Sequence, residues 1–242
     1  MTLILTELSK HGIAMVADSA VTFTEQLPSG KPVNYVLNGA QKLQVVPYLT
    51  AGISVWGLGA IEGVSTDIWL HDFIERHSDI HSLDEFANNL VAELRTTIGD
   101  KREAIGFHLA GFVEQEGQRL PTFYGVRNVD GNYKHYDFHG FIPGQDFPPR
   151  TMADNEISIF RNGDYGPYAA LADTVERILP LIKTDIGLTI PYPSLQGRIA
   201  YHIAWLRFVS ELYASSGLLR TIGGNIAALG ISPQGQITYL PG

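Results

Sequence analysis

The chain has 242 residues, with 17 Lys or Arg against 25 Asp or Glu, a formal net charge of -8, and 45% hydrophobic residues against 17% charged. That balance excludes a disordered chain, and the lack of any Lys/Arg cluster argues against nucleic acid as a partner. There is no Cys, which excludes disulfides and thiolate metal sites, and no apolar stretch reaches the roughly 18 residues of a membrane span.

Taken in order, the first stretch is the most informative. Two short apolar runs, Leu3 to Leu8 and Ile13 to Ala17, flank Ser9-Lys10-His11-Gly12. This reads as a β-hairpin. Neither run alternates, so both strands are expected to be buried on both faces. Folding about residues 9 to 12 pairs position 8 with about 13 and position 3 with about 18. Asp18 then lies beside the start of the chain, on the order of 5 Å across the ladder. Removal of Met1 would leave Thr2 there with a hydroxyl and a free α-amine. A buried amine, hydroxyl and carboxylate at one spot point to nucleophilic catalysis.

Ser19 to Asn38 is turn-rich and reads as an extended excursion with a loop at its tip. Strands are expected over Gln41 to Val46 and Leu49 to Trp56, then a sharp turn at Gly57-Leu58-Gly59 and a helix over Ala60 to His77. Ser82-Leu83-Asp84-Glu85 has the form of a capping box and opens an amphipathic helix ending at Gly99. Ile105 to Val113 and Pro121 to Val126 read as paired strands, and 128 to 160 as short strands and loops. Helices are expected over Pro167 to Lys183 and Ser194 to Ser215. The second is apolar nearly all round and so is expected to be buried on two sides. A hairpin of Gly224 to Ile231 and Gln236 to Leu240 closes the chain. The order suggests a single α+β domain, 1-242. It would be a four-layer α/β/β/α sandwich of two antiparallel sheets flanked by helix pairs.

Two motifs invite other chemistry. Gly57-Leu58-Gly59 with Gly63 sits between strand and helix like a dinucleotide-binding turn, but no second strand ending in Asp or Glu follows. His135, Asp137 and His139 share a face if their segment is a strand, where they form either a metal site or a wet polar face. No cofactor is called for, and with no basic leader before an apolar run the expected location is the cytoplasm.

Thr2 after a removable Met, Val16-Ala17-Asp18-Ser19, Gln41-Lys42-Leu43, Trp56-Gly57-Leu58-Gly59 and Gly223-Gly224 occur in that order. Together they resemble the proteasome β-subunit and its bacterial homologues, among the N-terminal nucleophile hydrolases, and Gly163-Asp164-Tyr165-Gly166 makes the resemblance nearest to the bacterial homologues. The resemblance implies the four-layer fold of those enzymes and a threonine-type peptidase. Thr2 would be the nucleophile and its α-amine the proton acceptor. Lys42 would lie beside Thr2, held by Asp18, and the backbone N–H of Gly57 would bind the oxyanion. Val21, Ala40 and Val55 would help set specificity. The resemblance further implies a homo-oligomeric ring or stacked rings acting on peptides or unfolded protein, with any unfoldase partner unknown.

The chemistry is coherent. A threonine hydroxyl needs a base, an α-amine with a pKa of about 8 suits that role, and a neighbouring ammonium favours its neutral form. While Met1 remains the amine is acylated, so the unprocessed chain is expected to be inactive.

The sequence also departs from the pattern. The segment from Asp18 to Lys42 is several residues long for the family, which makes Lys31 a second candidate lysine. The family's supporting serine, and its aspartate and serine near the final glycines, are not evident. Leu219 and Ile222 stand near the latter two, with Thr221 the only hydroxyl close by. Ser158 fits the former poorly and Asn162-Gly163-Asp164 does not fit it. Two other functions stay open on this reading: hydrolysis of a small amide, and an inactive ring scaffold.

Overall fold

The computed structural model describes residues 2–98, 103–129, 141–174, 194–216 and 221–242. Strands β1 (Leu3–Ser9) and β2 (Gly12–Asp18) are buried along their whole length. Leu8 pairs with Ile13 and Ile4 with Ala17, the register expected from the turn. β3 (Val21–Gln26) and β4 (Pro32–Leu37) make a two-stranded sheet of their own, more regular than the excursion expected there.

β5 (Leu43–Val46) and β6 (Ala51–Gly57) follow, joined through a 3-10 turn at Pro47–Leu49. The expected helix from Ala60 starts later. Residues 60 to 65 form a small hairpin of β7 (Ala60–Ile61) and β8 (Val64–Ser65), turned by Glu62 and Gly63 at φ 50° and 81°. Helix α1 then spans Thr66–Arg76. The Ser82 half of the expected capping box forms: Glu85 N–H donates to Ser82 Oγ at 3.1 Å and opens α2 (Leu83–Ile98). β9 (Ile105–Gln115) and β10 (Gln118–Arg127) are longer than expected. β11 (Ile142–Phe147) and β12 (Ile157–Gly163) come next. Residues 166–174 are helical (α3), and the rest of the helix expected to Lys183 lies outside the described residues. α4 (Leu195–Ser215), capped by the Ser194 hydroxyl, leads to β13 (Ile226–Ile231) and β14 (Ile237–Leu240).

The strands form two five-stranded sheets, in the orders β12-β1-β2-β13-β14 and β11-β10-β9-β6-β5, with every pairing antiparallel. The chain is thus mixed α/β with antiparallel sheets. Ile4, Met15 and Leu229 of the first sheet meet Trp56, Ala110 and Phe123 of the second in one core cluster. Ile53, Val55, Phe107 and Leu109 turn the other way, onto α1 and α2. Leu3, Leu5, Ala14 and Val16 pack on α3 and α4. Because β1 and β2 are covered on both faces, their apolar runs do not alternate.

Beneath α4, Glu7 accepts hydrogen bonds from Arg198 Nε and His202 Nε2, each at 2.7 Å. Burial pushes the Glu7 carboxyl up, but these bonds outweigh it and hold its pKa below the ordinary value. Burial on two sides of α4 is not observed among the described residues. Leu195, Ile199, Leu206 and Val209 face the sheet, while Phe208 and Leu212 are exposed.

A second polar bridge spans the two sheets. His108 Nδ1 accepts from the Thr6 hydroxyl at 3.0 Å, and Nε2–H donates to Asn162 Oδ1 at 2.7 Å. A neutral imidazole satisfies both bonds. Burial, helped by the Arg127 charge, pushes the His108 pKa down to about 4, against an opposing pull from Asn162. The folded pKa lies below the unfolded one, so the unfolded chain binds more protons between them and stability rises with pH. The contribution is full above about 6.5 and is lost as pH falls toward 4. The loss should be on the order of 3 kcal/mol. Urea unfolding followed from pH 7 to 4 should show it, and His108→Gln should flatten that slope.

Candidate active site

The hairpin carries Asp18 to the chain start. Asp18 Oδ1 accepts from the Leu3 N–H at 3.0 Å and from Lys42 Nζ at 3.0 Å. Its Oδ2 accepts from the N–H groups of Ala20 (3.2 Å) and Gly223 (3.1 Å). Lys42, just before β5, also donates to the Ala20 carbonyl. Its own carbonyl accepts from Val55 N–H at 2.9 Å, which ties the lysine to β6. Burial pushes the Lys42 ammonium below its ordinary pKa, and the charges of Asp18 and Asp67 oppose that shift. Lys31, the second candidate, is exposed near the tip of the β3–β4 hairpin.

Thr2 is 4% exposed and opens onto a narrow cleft that Val21, Ala40, Lys42, Val55 and Gly57 also line. Asp18 stands behind the lining. Of the residues named from sequence, the structure therefore brings Thr2, Lys42, Gly57, Val21, Ala40 and Val55 to one cleft, with Asp18 bonded to its lysine. Gly57 sits at φ +97°, and a Cβ there would lie 2.1 Å from the Ala104 carbonyl oxygen, so the turn requires glycine. Ser65, Thr66 and Asp67 at the N-terminus of α1 close another side. Asp67 accepts from Gln41 N–H at 2.9 Å.

A third group is one that the sequence reading set aside as not fitting. Asp164, just past β12, donates its N–H to the Thr2 carbonyl at 2.7 Å. Its carboxylate accepts from the Tyr213 hydroxyl and, at 3.5 Å, from Thr221 Oγ1. Burial, then the bond to Asp164, holds the Tyr213 pKa above its ordinary value. Gly163 makes the approach possible: it lies at φ +91°, and a Cβ would come within 1.7 Å of the Thr2 carbonyl oxygen. Gly163-Asp164 beside a strand end was the available signal, but nothing local tied it to Thr2. Ser158 pairs with Leu8 at the far end of β1, and Ile222 is buried in the core.

His135, Asp137, His139 and Leu219 lie outside the described residues. Among the described residues no group of three or more His, Asp or Glu is arranged to hold a metal, and no helix is long and apolar enough to cross a membrane.

No protein-family model matches the chain, and no curated protein matches it by sequence. Solved structures do. Anbu (ancestral beta-subunit) from Yersinia bercovieri superposes with a TM-score of 0.58 at 14% identity, over 99% of this chain and 87% of that one. An Anbu (Gly-1) mutant from Hyphomicrobium sp. strain MC1 superposes with a TM-score of 0.55 at 13% identity, over 98% and 85%. These matches correct the resemblance read from sequence to proteasome β-subunits of the N-terminal nucleophile class, nearest the bacterial homologues. The neighbours are Anbu proteins, and neither is described as an N-terminal nucleophile hydrolase or as having a threonine nucleophile. The reason is physical: a strand-end aspartate, a buried lysine and a glycine turn mark a backbone geometry, which several groups of proteins on one fold can share. At this identity the likeness shows the fold, which is similar to that of Anbu and proteasome-like.

Proposed function

We propose that this chain hydrolyses amide bonds in peptides, with the Thr2 hydroxyl as nucleophile once Met1 has been removed. One observation carries the reading. The buried Asp18 carboxylate holds both the N–H of the residue after Thr2 and the Lys42 ammonium, each at 3.0 Å. Thr2 Oγ1 attacks the substrate carbonyl and its proton passes to the free α-amine. The oxyanion forms toward the Gly57 N–H. The C–N bond then breaks, the leaving amine takes the proton from the α-amine, and water hydrolyses the ester left on Thr2. Lys42 favours the neutral amine and Asp18 balances its charge. Val21, Ala40 and Val55 offer apolar walls to a substrate side chain.

The chain acts as one domain, 1-242, in four layers, and its copies close into a ring or stacked rings around the sites. Its location in this reading is the cytoplasm, and it uses no cofactor.

Intact mass and turnover test the proposal. The active chain should be lighter by one methionine and should cleave fluorogenic peptides. Turnover of small amides alone would reassign it to a small-amide hydrolase. A chain that keeps Met1 and cleaves nothing would be an inactive scaffold.

A further inference from the structure

We propose that Asp164 is the second carboxylate of the Thr2 site, a positioning residue that pins Thr2 through its main-chain carbonyl and sets the charge balance at its freed α-amine. The inference rests on the reading of Thr2 as the nucleophile. Leu3 pairs with Gly163, so one step outward Thr2 stands opposite Asp164, and the 2.7 Å bond from Asp164 N–H to the Thr2 carbonyl closes that step. The ladder itself ends at Leu3 and Gly163, where Gly163 turns at φ +91°, so this backbone bond is what holds Asp164 against Thr2.

The carboxylate is restrained from two elements. Tyr213 on α4 donates its hydroxyl to Oδ2, and Thr221 reaches the same oxygen. Two residues on, Gly223 N–H donates to Asp18. A single segment, 221 to 223, therefore ties together both carboxylates that flank Thr2. This is an arrangement for holding a residue at the end of a strand, where chains otherwise fray.

The titratable groups around Thr2 are Asp18 on β2, Lys42 before β5, Asp67 on α1, Asp164 after β12 and Tyr213 on α4. Asp18 and Lys42 are an ion pair and largely cancel. Asp164 is not paired to a cation among the described residues; its carboxylate is met by hydroxyls, which leave its charge in place. That charge favours the ammonium form of the Thr2 amine and opposes the pull of Lys42 in the other direction.

Asp164→Asn tests this, because the amide oxygen still accepts from Tyr213 while the charge is gone. In the processed chain, the α-amine pKa is read from the pH dependence of its trace acetylation by acetic anhydride, measured on the N-terminal peptide. It should fall by about one unit, and the acid limb of kcat/KM on peptides should move with it. Tyr213→Phe keeps the charge and removes a donor that shields it. The amine pKa should then rise, by about half a unit. Movements of opposite sign support the proposal. An amine pKa unmoved in both variants overturns it, as does a shift of the same sign in both. If Asp164→Asn does not fold, the direction in Tyr213→Phe decides. Labelling shifts in a chain that cleaves no peptide would overturn the hydrolase reading while leaving Asp164 supported at the amine.

Discussion

Thr2→Ala should lower turnover of fluorogenic peptides by at least about 1,000-fold while the chain still folds. The substitution removes the attacking oxygen and one methyl group and leaves the amine, Asp18, Lys42 and Gly57 where they are. The other hydroxyls on the cleft have no α-amine of their own beside them: Thr22 is on β3, Ser65 ends β8 with its hydroxyl donating to Asp67, and the Thr66 hydroxyl on α1 donates to the Leu58 carbonyl at 2.7 Å. The stability change should stay within about 1 kcal/mol, since the side chain faces a cleft and not the close-packed core. Thr2→Ser restores the oxygen and should recover a substantial part of the rate. Full activity in Thr2→Ala, with the mass of the processed chain verified, would remove Thr2 from the mechanism.

Asp18→Ala should cost about 3–5 kcal/mol of stability and abolish turnover as well. The side chain is 1% exposed, and its removal strands the N–H groups of Leu3, Ala20 and Gly223 together with the Lys42 ammonium, whose side chain is 5% exposed. A stranded buried charge costs more than the pair contributed, so the loss exceeds that of a surface ion pair. pH separates the charge effect from packing. Burial already holds the folded-state pKa of Lys42 below its ordinary 10.5, and losing Asp18 deepens that shift. The unfolded chain then binds the extra proton between the two values, so stability rises with pH across that window. Asp18→Asn should therefore recover part of its lost stability between pH 7 and 10, as read by urea unfolding. The same deficit at both ends would assign the effect to packing.

The candidate site was legible to the extent that it is local or follows from burial. A hairpin about Ser9 to Gly12 has one register, and that register alone carries Asp18 to the first residues. Glycine at 57 was legible because a sharp turn needs a residue free of Cβ. The helix expected from Ala60 was not, because the periodic apolar residues continue across a short hairpin that Glu62 and Gly63 turn. Apolar residues all round α4 suggested two covered faces, yet Phe208 and Leu212 face outward. Periodicity reports that a helix is apolar; it does not report what lies on the other side.

The register of the β1–β2 hairpin and the Ser82 and Ser194 helix caps in this protein are determined by the sequence itself, since each depends on residues a few positions apart. Which lysine reaches Asp18, and which carboxylate and hydroxyls meet at Thr2, were decided by the tertiary structure. Lys42 lies 24 residues from Asp18, and Tyr213 and Thr221 lie 49 and 57 from Asp164. Those meetings depend on how β5 and α4 pack against the hairpin, and packing is a property of the closed core that no single segment carries.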